Sequence, residues 1–196
     1  MPTPASHDYR ANPSPYRALL TEQGVFTTPP YSAELKGLWR IKDELAARTS
    51  AEAVYTKFQK YRDDGDFVGM DMARKFLQMG RTRSLRYALR PGGRKYESSS
   101  LEGGNKDEDK DKDAGGNHGK GKASGKGKGK GKEIPRTGKV YDEEKSRGAR
   151  VFEDHLERVW ADEVYLAWWE EWRGRQGLSG RGPRSLRGRE VGKAGG

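Results

Sequence analysis

Residues 98–139 form a block of glycine, lysine and acidic residues that cannot supply a hydrophobic core. The block passes from SSSLEGGNKDEDKDKD into repeated Gly-Lys, and it contains none of the 5 Trp, 9 Tyr and 5 Phe residues of the chain. Residues 174–196, which carry several Arg-Gly pairs, also lack aromatic residues. Chains of such composition bury too little apolar surface to offset the entropy lost on ordering. We therefore predict a disordered insert at 98–139 and a disordered basic tail at 174–196.

The rest of the chain is sufficient for one hydrophobic core. Its hydrophobic content approaches that of ordinary globular proteins once the two polar segments are set aside. A chain of that length buries roughly two thirds of its unfolded surface, which is enough for one core and hardly for two. We predict an extended arm at 1–15 and one domain made of 16–97 and 140–173.

Apolar periodicity predicts a mainly α fold, a small helical bundle with a short extended or β segment at 23–31 near its N-terminus. Spacings of three and four residues between apolar side chains recur along both parts of the domain, as in amphipathic helices. After a short helical turn from about Ser32, the predicted helices cover about 50–62, 67–79, 81–90, 143–161 and 163–173.

Polar residues and glycine mark the predicted helix ends. Thr49 and Glu52 have the spacing of a capping box, which would begin the first long helix. Asp66 and Asp162 precede apolar runs and are typical N-caps. Gly80 would close the helix that begins after Asp66, and Pro91 would stop the one that follows.

The composition excludes several classes of site. The chain has no cysteine, so it can form neither a disulfide nor a thiolate metal site. Its three histidines have no spacing typical of metal ligands, and no serine lies in a nucleophile motif. We predict no metal, no cofactor and no catalytic residue. The apolar runs are too short to span a membrane and the first residues lack a secretory pattern, so we expect an intracellular protein, cytoplasmic or nuclear.

The helix predicted at 67–79 is apolar around most of its circumference, so we expect it at the centre of the domain. Its one polar stripe consists of Asp71, Arg74, Lys75 and Gln78. Spacings of three and four residues bring Asp71 to both cations. Such a stripe is either a structural ion-pair network or the lining of a ligand site, for example for a phosphate group.

A basic stripe follows in the next helix and the loop after it. It consists of Arg81, Arg83, Arg86, Tyr87, Arg90, Arg94 and Lys95. Clustered cations with neighbouring aromatic rings are typical of surfaces that bind nucleic-acid phosphates and unpaired bases. The alternative is internal pairing, because residues 140–173 contain ten acidic and five basic residues. Glu153 and Glu157 are the partners that pairing would use.

The longest recognisable block is DDGDFVGMDMARKFLQMGRTRSLRYA at 63–88. With EQGVF at 22–26, LWRIK at 38–42 and GRKYE at 93–97, it resembles the family catalogued as domain of unknown function 4385. The resemblance covers about 9–97 and 140–172. The chain departs from compact members of that family by its long insertion after the Arg-Lys-Tyr segment. The resemblance implies no activity.

Three functions are compatible with these patterns. The net charge of +10 and the two basic segments favour a non-enzymatic protein that binds RNA or another polyanion. A module that docks an acidic protein partner is the second. A small phosphate-ligand domain or enzyme that uses Asp71, Arg74 and Lys75 is the third.

Overall fold

The computed structural model describes residues 7–94, 134 and 139–178, and it is helical. Its α-helices are α1 (Tyr31–Lys36), α2 (Glu44–Asp63), α3 (Phe67–Leu89), α4 (Glu143–Trp160) and α5 (Glu163–Arg175), with a short 3-10 turn at Pro91–Gly93. No strand occurs in these ranges. The predicted mainly α fold is therefore confirmed. Most of the predicted insert and tail lies outside the described residues.

The core is a bundle of three helices in which α2, α3 and α4 each pack against the other two. Helix α3 lies at its centre, as predicted, because its side chains from Phe67 to Leu77 are buried on every side. The first helix, α1, packs on α3, and α5 packs on both α3 and α4. Helices from both sides of residues 95–138 thus contribute to the same core.

Helix α2 begins six residues earlier than predicted, and the predicted capping box is wrong. The cap is Asp43, whose carboxylate accepts a hydrogen bond from the backbone N–H of Ala46 at 2.7 Å. Thr49 lies inside the helix and donates its hydroxyl to the carbonyl of Leu45. The carboxylate of Glu52 contacts His155 on α4. An aspartate three residues before an N–H satisfies the same donor as a capping box.

Helix α3 also continues past Gly80, where its end was predicted. A Cβ built at Gly80 would lie 2.5 Å from a ring carbon of Phe152 on α4. The glycine therefore serves the close approach of two helices and keeps an ordinary helical backbone. Asp66, in contrast, caps the helix as predicted, accepting from the backbone N–H of Gly69 at 2.9 Å.

Asp162 separates α4 from α5 and caps α5, as predicted, by accepting from the N–H of Tyr165 at 2.8 Å. Helix α5 extends to Arg175, two residues into the segment predicted as the tail. The start of α4 is tied to the end of α3, since the N–H of Tyr141 donates to the carbonyl of Ala88 at 2.7 Å.

Residues 7–30 run over α3 as turns and bends, including the segment for which a short strand or an extended loop was predicted. Tyr16, Ala18 and Val25 anchor this segment in the hydrophobic core. Within the described residues, no helix is both long and apolar enough to cross a membrane.

Candidate functional site

A cavity of about 330 Å³ lies between the loop after α1 and the middle of α3. Four of its lining residues are basic and the others are apolar: Phe26, Lys36, Trp39, Arg40, Ile41, Lys42 and Arg83. No carboxylate of the described residues lines it. We call these seven residues the cationic cavity. Its cations come from two segments more than forty residues apart in the chain, which the fold of α1 against α3 brings together.

Aromatic rings and backbone carbonyls position three of the four cations. The ammonium of Lys36 lies 5.8 Å from the centre of the Phe26 ring, and the guanidinium of Arg83 lies 5.7 Å from the Trp39 ring. Such contacts attract a cation to the ring face. Arg40 donates to the carbonyl of Trp39 at 2.7 Å. These contacts favour particular orientations of the Lys36, Arg40 and Arg83 side chains before any ligand binds, while Lys36 and Arg40 stay exposed to solvent.

A lysine of α4 forms hydrogen bonds to the backbone of the loop that carries Lys42. The ammonium of Lys145 donates to the carbonyl of Lys42 at 2.6 Å and also to that of Ile41. The same ammonium lies 5.5 Å from the ring of Tyr87, and the guanidinium of Arg86 lies 5.3 Å from that ring. Positive charge thus extends from the cavity towards the end of α3.

Elsewhere in the described chain, several arginines form ion pairs with carboxylates. Ion pairs join Arg10 to Glu34, Arg48 to Glu44, Arg62 to Asp162, Arg81 to Glu153, Arg147 to Glu44 and Arg175 to Glu171. Among the same residues, no carboxylate forms an ion pair with Lys36, Arg40, Lys42 or Arg83. Clustered like charges without counter-charges create a local positive potential that attracts anions.

The predicted basic stripe divides in the structure. Arg81 is paired, because its guanidinium donates to Glu153 at 2.9 and 3.1 Å. Arg83 lies in the cationic cavity. Arg86 is exposed beside Tyr87. Both alternatives raised by the sequence, pairing and exposure, therefore occur in the same helix.

The end of the stripe contributes less to an open surface. Arg90 is 5% exposed, so burial removes most of it from solvent. Arg94 is exposed after the 3-10 turn. Lys95 lies outside the described residues. The exposed positive charge of the stripe thus lies on Arg86 and Arg94, and the half-buried Arg83 lies in the cationic cavity.

The polar stripe of α3 forms a buried cluster around Asp71. The Asp71 carboxylate accepts from the guanidinium of Arg74 at 2.8 Å, from the Tyr165 hydroxyl at 2.7 Å and from the Tyr16 hydroxyl. The Lys75 ammonium lies 3.6 Å from it. Burial alone would raise the pKa of Asp71, but the two cations and the two phenols hold it below its usual value.

The cations of this cluster also bind the N-terminal segment. Arg74 donates to the carbonyl of Leu19 at 2.8 Å and to the side chain of Gln78 at 2.6 Å. Lys75 donates to the carbonyl of Gln23 at 3.2 Å, and its burial lowers its pKa. Asp71 and Arg74 are fully buried. Because each charge already has protein partners and no open face, the geometry favours a structural role over ligand binding.

A second cavity, of about 320 Å³, lies near the start of α3, and the charged residues in its lining include ones that are paired within the protein. Its lining includes Arg10, Tyr31 and Asp66. Arg10 is paired with Glu34 at 2.9 Å and lies 4.8 Å from the Tyr31 ring. The Tyr31 hydroxyl donates to Asp66 at 2.8 Å. Its described lining carries one cation, Arg10, and two carboxylates, Asp64 and Asp66, so this cavity offers no net positive charge to an anion.

Sequence reasoning missed most of the cationic cavity. Bulky and basic residues alternate in the segment LWRIK, for which the sequence predicted no site. That alternation was the available signal, since it directs Trp39 inward and leaves Arg40 exposed. Its meeting with Arg83 depends on tertiary packing, which no local pattern encodes.

The sequence model of one protein family matches residues 3–175 of the chain, and its description is "Domain of unknown function (DUF4385)". The match covers most of the chain and confirms the resemblance found in the sequence. The chain belongs to this family. No curated protein and no solved structure matches it.

Proposed function

We propose that this member of the DUF4385 family binds single-stranded RNA through the cationic cavity. The observation that carries the proposal is the convergence of Lys36, Arg40, Lys42 and Arg83 on one cavity whose described lining contains no carboxylate. Phosphate groups are the natural partners of such a cluster, because guanidinium and ammonium groups neutralise them and release bound counterions.

The fixed positions of the cations also support a phosphate ligand. Arg83 and Lys36 rest on aromatic rings, and Arg40 is held by a backbone carbonyl. Side chains that are already ordered lose less entropy when a ligand binds. Arginine can also make two parallel hydrogen bonds to one phosphate. The half-buried Phe26 adds an apolar edge beside these donors, as in sites that contact unpaired bases.

Fluorescence anisotropy of a single-stranded RNA dodecamer labelled at its 3′ end tests the proposal on the full-length chain. The variant Lys36→Gln, Arg40→Gln, Lys42→Gln, Arg83→Gln removes the four charges of the cavity. If all four contact phosphates, the slope of log affinity against log salt becomes shallower by about 2.8, from roughly 0.7 per contact on a single strand.

The matched control removes four cations of α2 and α5, each of which forms an ion pair with a carboxylate. Its substitutions are Arg48→Gln, Lys57→Gln, Lys60→Gln and Arg175→Gln. Both variants lose the same formal charge, so any difference between them measures position and not net charge. We expect the control to keep most of the affinity and of the salt slope.

Three outcomes would contradict the proposal. Equal losses in the two variants would mean that net charge alone attracts the RNA. Unchanged binding in the cavity variant would place binding outside the cavity, for example at Arg86 and Arg94 or in 98–133 or 179–196. Absence of binding at both 50 and 150 mM salt would end the proposal, and recovery of one acidic protein from nuclease-treated lysate would then favour the docking alternative.

A further inference from the structure

We infer that the cationic cavity receives a terminal phosphate, the phosphomonoester at the 5′ end of an RNA or on a free mononucleotide. The inference rests on the proposed function and narrows its ligand. An internal phosphodiester carries one negative charge, whereas a phosphomonoester carries about 1.5 to 2 at neutral pH. A site for a phosphomonoester therefore needs more positive charge than a site for an internal phosphodiester.

The shape of the site favours a chain end. A volume of about 330 Å³ falls at the small end of the range for small-molecule pockets, roughly 300 to 1,000 Å³. An internal phosphate must enter together with the nucleotides on both of its sides. A terminal phosphate enters with one neighbour only, so a partly enclosed cavity admits it more readily.

The charge of the site favours a dianion. Among the described residues, four cations line the cavity, and no carboxylate or histidine does. Arg83 comes from α3, Lys36 from the end of α1 and Arg40 from the loop after α1. One monoanion would leave most of this charge uncompensated. Charge-assisted hydrogen bonds from several cations to one phosphate suit the group with more charge and three free oxygens.

Phe26 completes the chemical fit. Its ring packs edge-on against Phe76 in the core, with ring centres 6.0 Å apart, while part of it remains accessible in the cavity. An accessible aromatic edge next to a phosphate site suits the sugar and base of the first nucleotide. The expected ligand is thus a 5′-phosphorylated nucleoside unit.

The test compares two dodecamers of identical sequence, one with a 5′-phosphate and one with a 5′-hydroxyl, on the full-length chain. We expect the phosphorylated RNA to bind at least about tenfold more tightly at pH 7.5. The second proton of a phosphomonoester binds with a pKa of about 6, so the preference shrinks at pH 5. Among the described residues, the lining contains no histidine and no carboxylate.

Two variants separate cavity recognition from general attraction. Arg83→Gln should abolish the preference for the 5′-phosphate, and Lys36→Gln, an exposed position, should reduce it in the same direction. Arg86→Gln, one turn further along α3 and outside the lining, should keep the preference. Circular dichroism confirms that each variant retains its helices.

Competition by adenosine 5′-monophosphate, with adenosine as its control, distinguishes the two sources of the phosphomonoester. Displacement of labelled RNA by the monophosphate at equal concentration indicates a free mononucleotide, and displacement only by phosphorylated RNA indicates a chain end. Equal affinities for the two dodecamers, with both weakened in the cavity variant, would overturn this inference and leave the proposed function standing. Binding of the monophosphate without any RNA binding would contradict the proposed function and support the terminal-phosphate inference.

Discussion

The close approach of α3 and α4 makes Gly80→Ala an informative substitution. A Cβ at Gly80 would lie 2.5, 2.6 and 2.7 Å from three ring carbons of Phe152. Comfortable carbon–carbon contacts are about 3.5 to 4.0 Å, so the ring or the helix must move by about 1 Å. Phe152 is fully buried in the hydrophobic core and has no free space into which it could turn.

Two opposing effects determine the size of the change. Overpacking of a core costs typically 1 to 3 kcal/mol, while replacing glycine by alanine inside a helix returns up to about 1 kcal/mol. We expect Gly80→Ala to lower the free energy of unfolding by about 1 to 2 kcal/mol. Gly174→Ala in α5 is the control, because a Cβ there meets nothing within 4 Å. It should leave stability unchanged or raise it by up to about 1 kcal/mol.

Urea unfolding followed by circular dichroism at 222 nm measures both variants. The reasoning predicts a lower midpoint for Gly80→Ala than for Gly174→Ala, without loss of helix at zero urea. Adding Phe152→Leu should soften the penalty of the alanine, and a double-mutant cycle detects that coupling. A Gly80→Ala protein as stable as the Gly174→Ala protein would refute the proposed close contact.

Other predictions concern stability. Asp71→Asn should cost about 3 to 5 kcal/mol in urea unfolding, because it leaves two buried cations without their carboxylate. Since the pKa of Asp71 is lower in the folded protein than in the unfolded chain, its contribution is complete above its ordinary value of 3.8 and is lost as the pH falls below it. The wild-type protein should therefore lose more stability between pH 5 and pH 2 than Asp71→Asn does. Arg81→Gln should change the unfolding free energy by less than about 1 kcal/mol, since its ion pair with Glu153 is partly exposed. Asp162→Ala should cost about 1 to 2 kcal/mol, because it removes both the α5 cap and the ion pair with Arg62, and a cost near zero would contradict the capping role.

The helical architecture was predictable because its signals are local. Apolar side chains at spacings of three and four predicted each long helix, and Asp66 and Asp162 marked helix starts through hydrogen bonds within three residues. Gly80 was misjudged because a glycine in a helix has two readings, an end or a close contact. Only the position of Phe152 on another helix decides between them.

The cluster at Asp71 was predictable in part for the same reason. Its pairs with Arg74 and Lys75 are one helical turn apart, whereas its hydrogen bonds to Tyr16 and Tyr165 join distant segments. The cationic cavity could not be predicted as a unit. Its members become neighbours only when the loop after α1 packs against α3, and the ion pair that removes Arg81 from the basic stripe depends on α4.

Chemical-shift mapping tests the central claim most directly. In ¹H–¹⁵N correlation spectra of the full-length chain titrated with a 5′-phosphorylated RNA dodecamer, the account predicts the largest shifts in the backbone amides of residues 36–42 and 83. It predicts small shifts for the buried cluster at Asp71 and for α5. Shifts confined to 98–133 and 179–196, with residues 36–42 unmoved, would contradict the claim that the cationic cavity binds RNA.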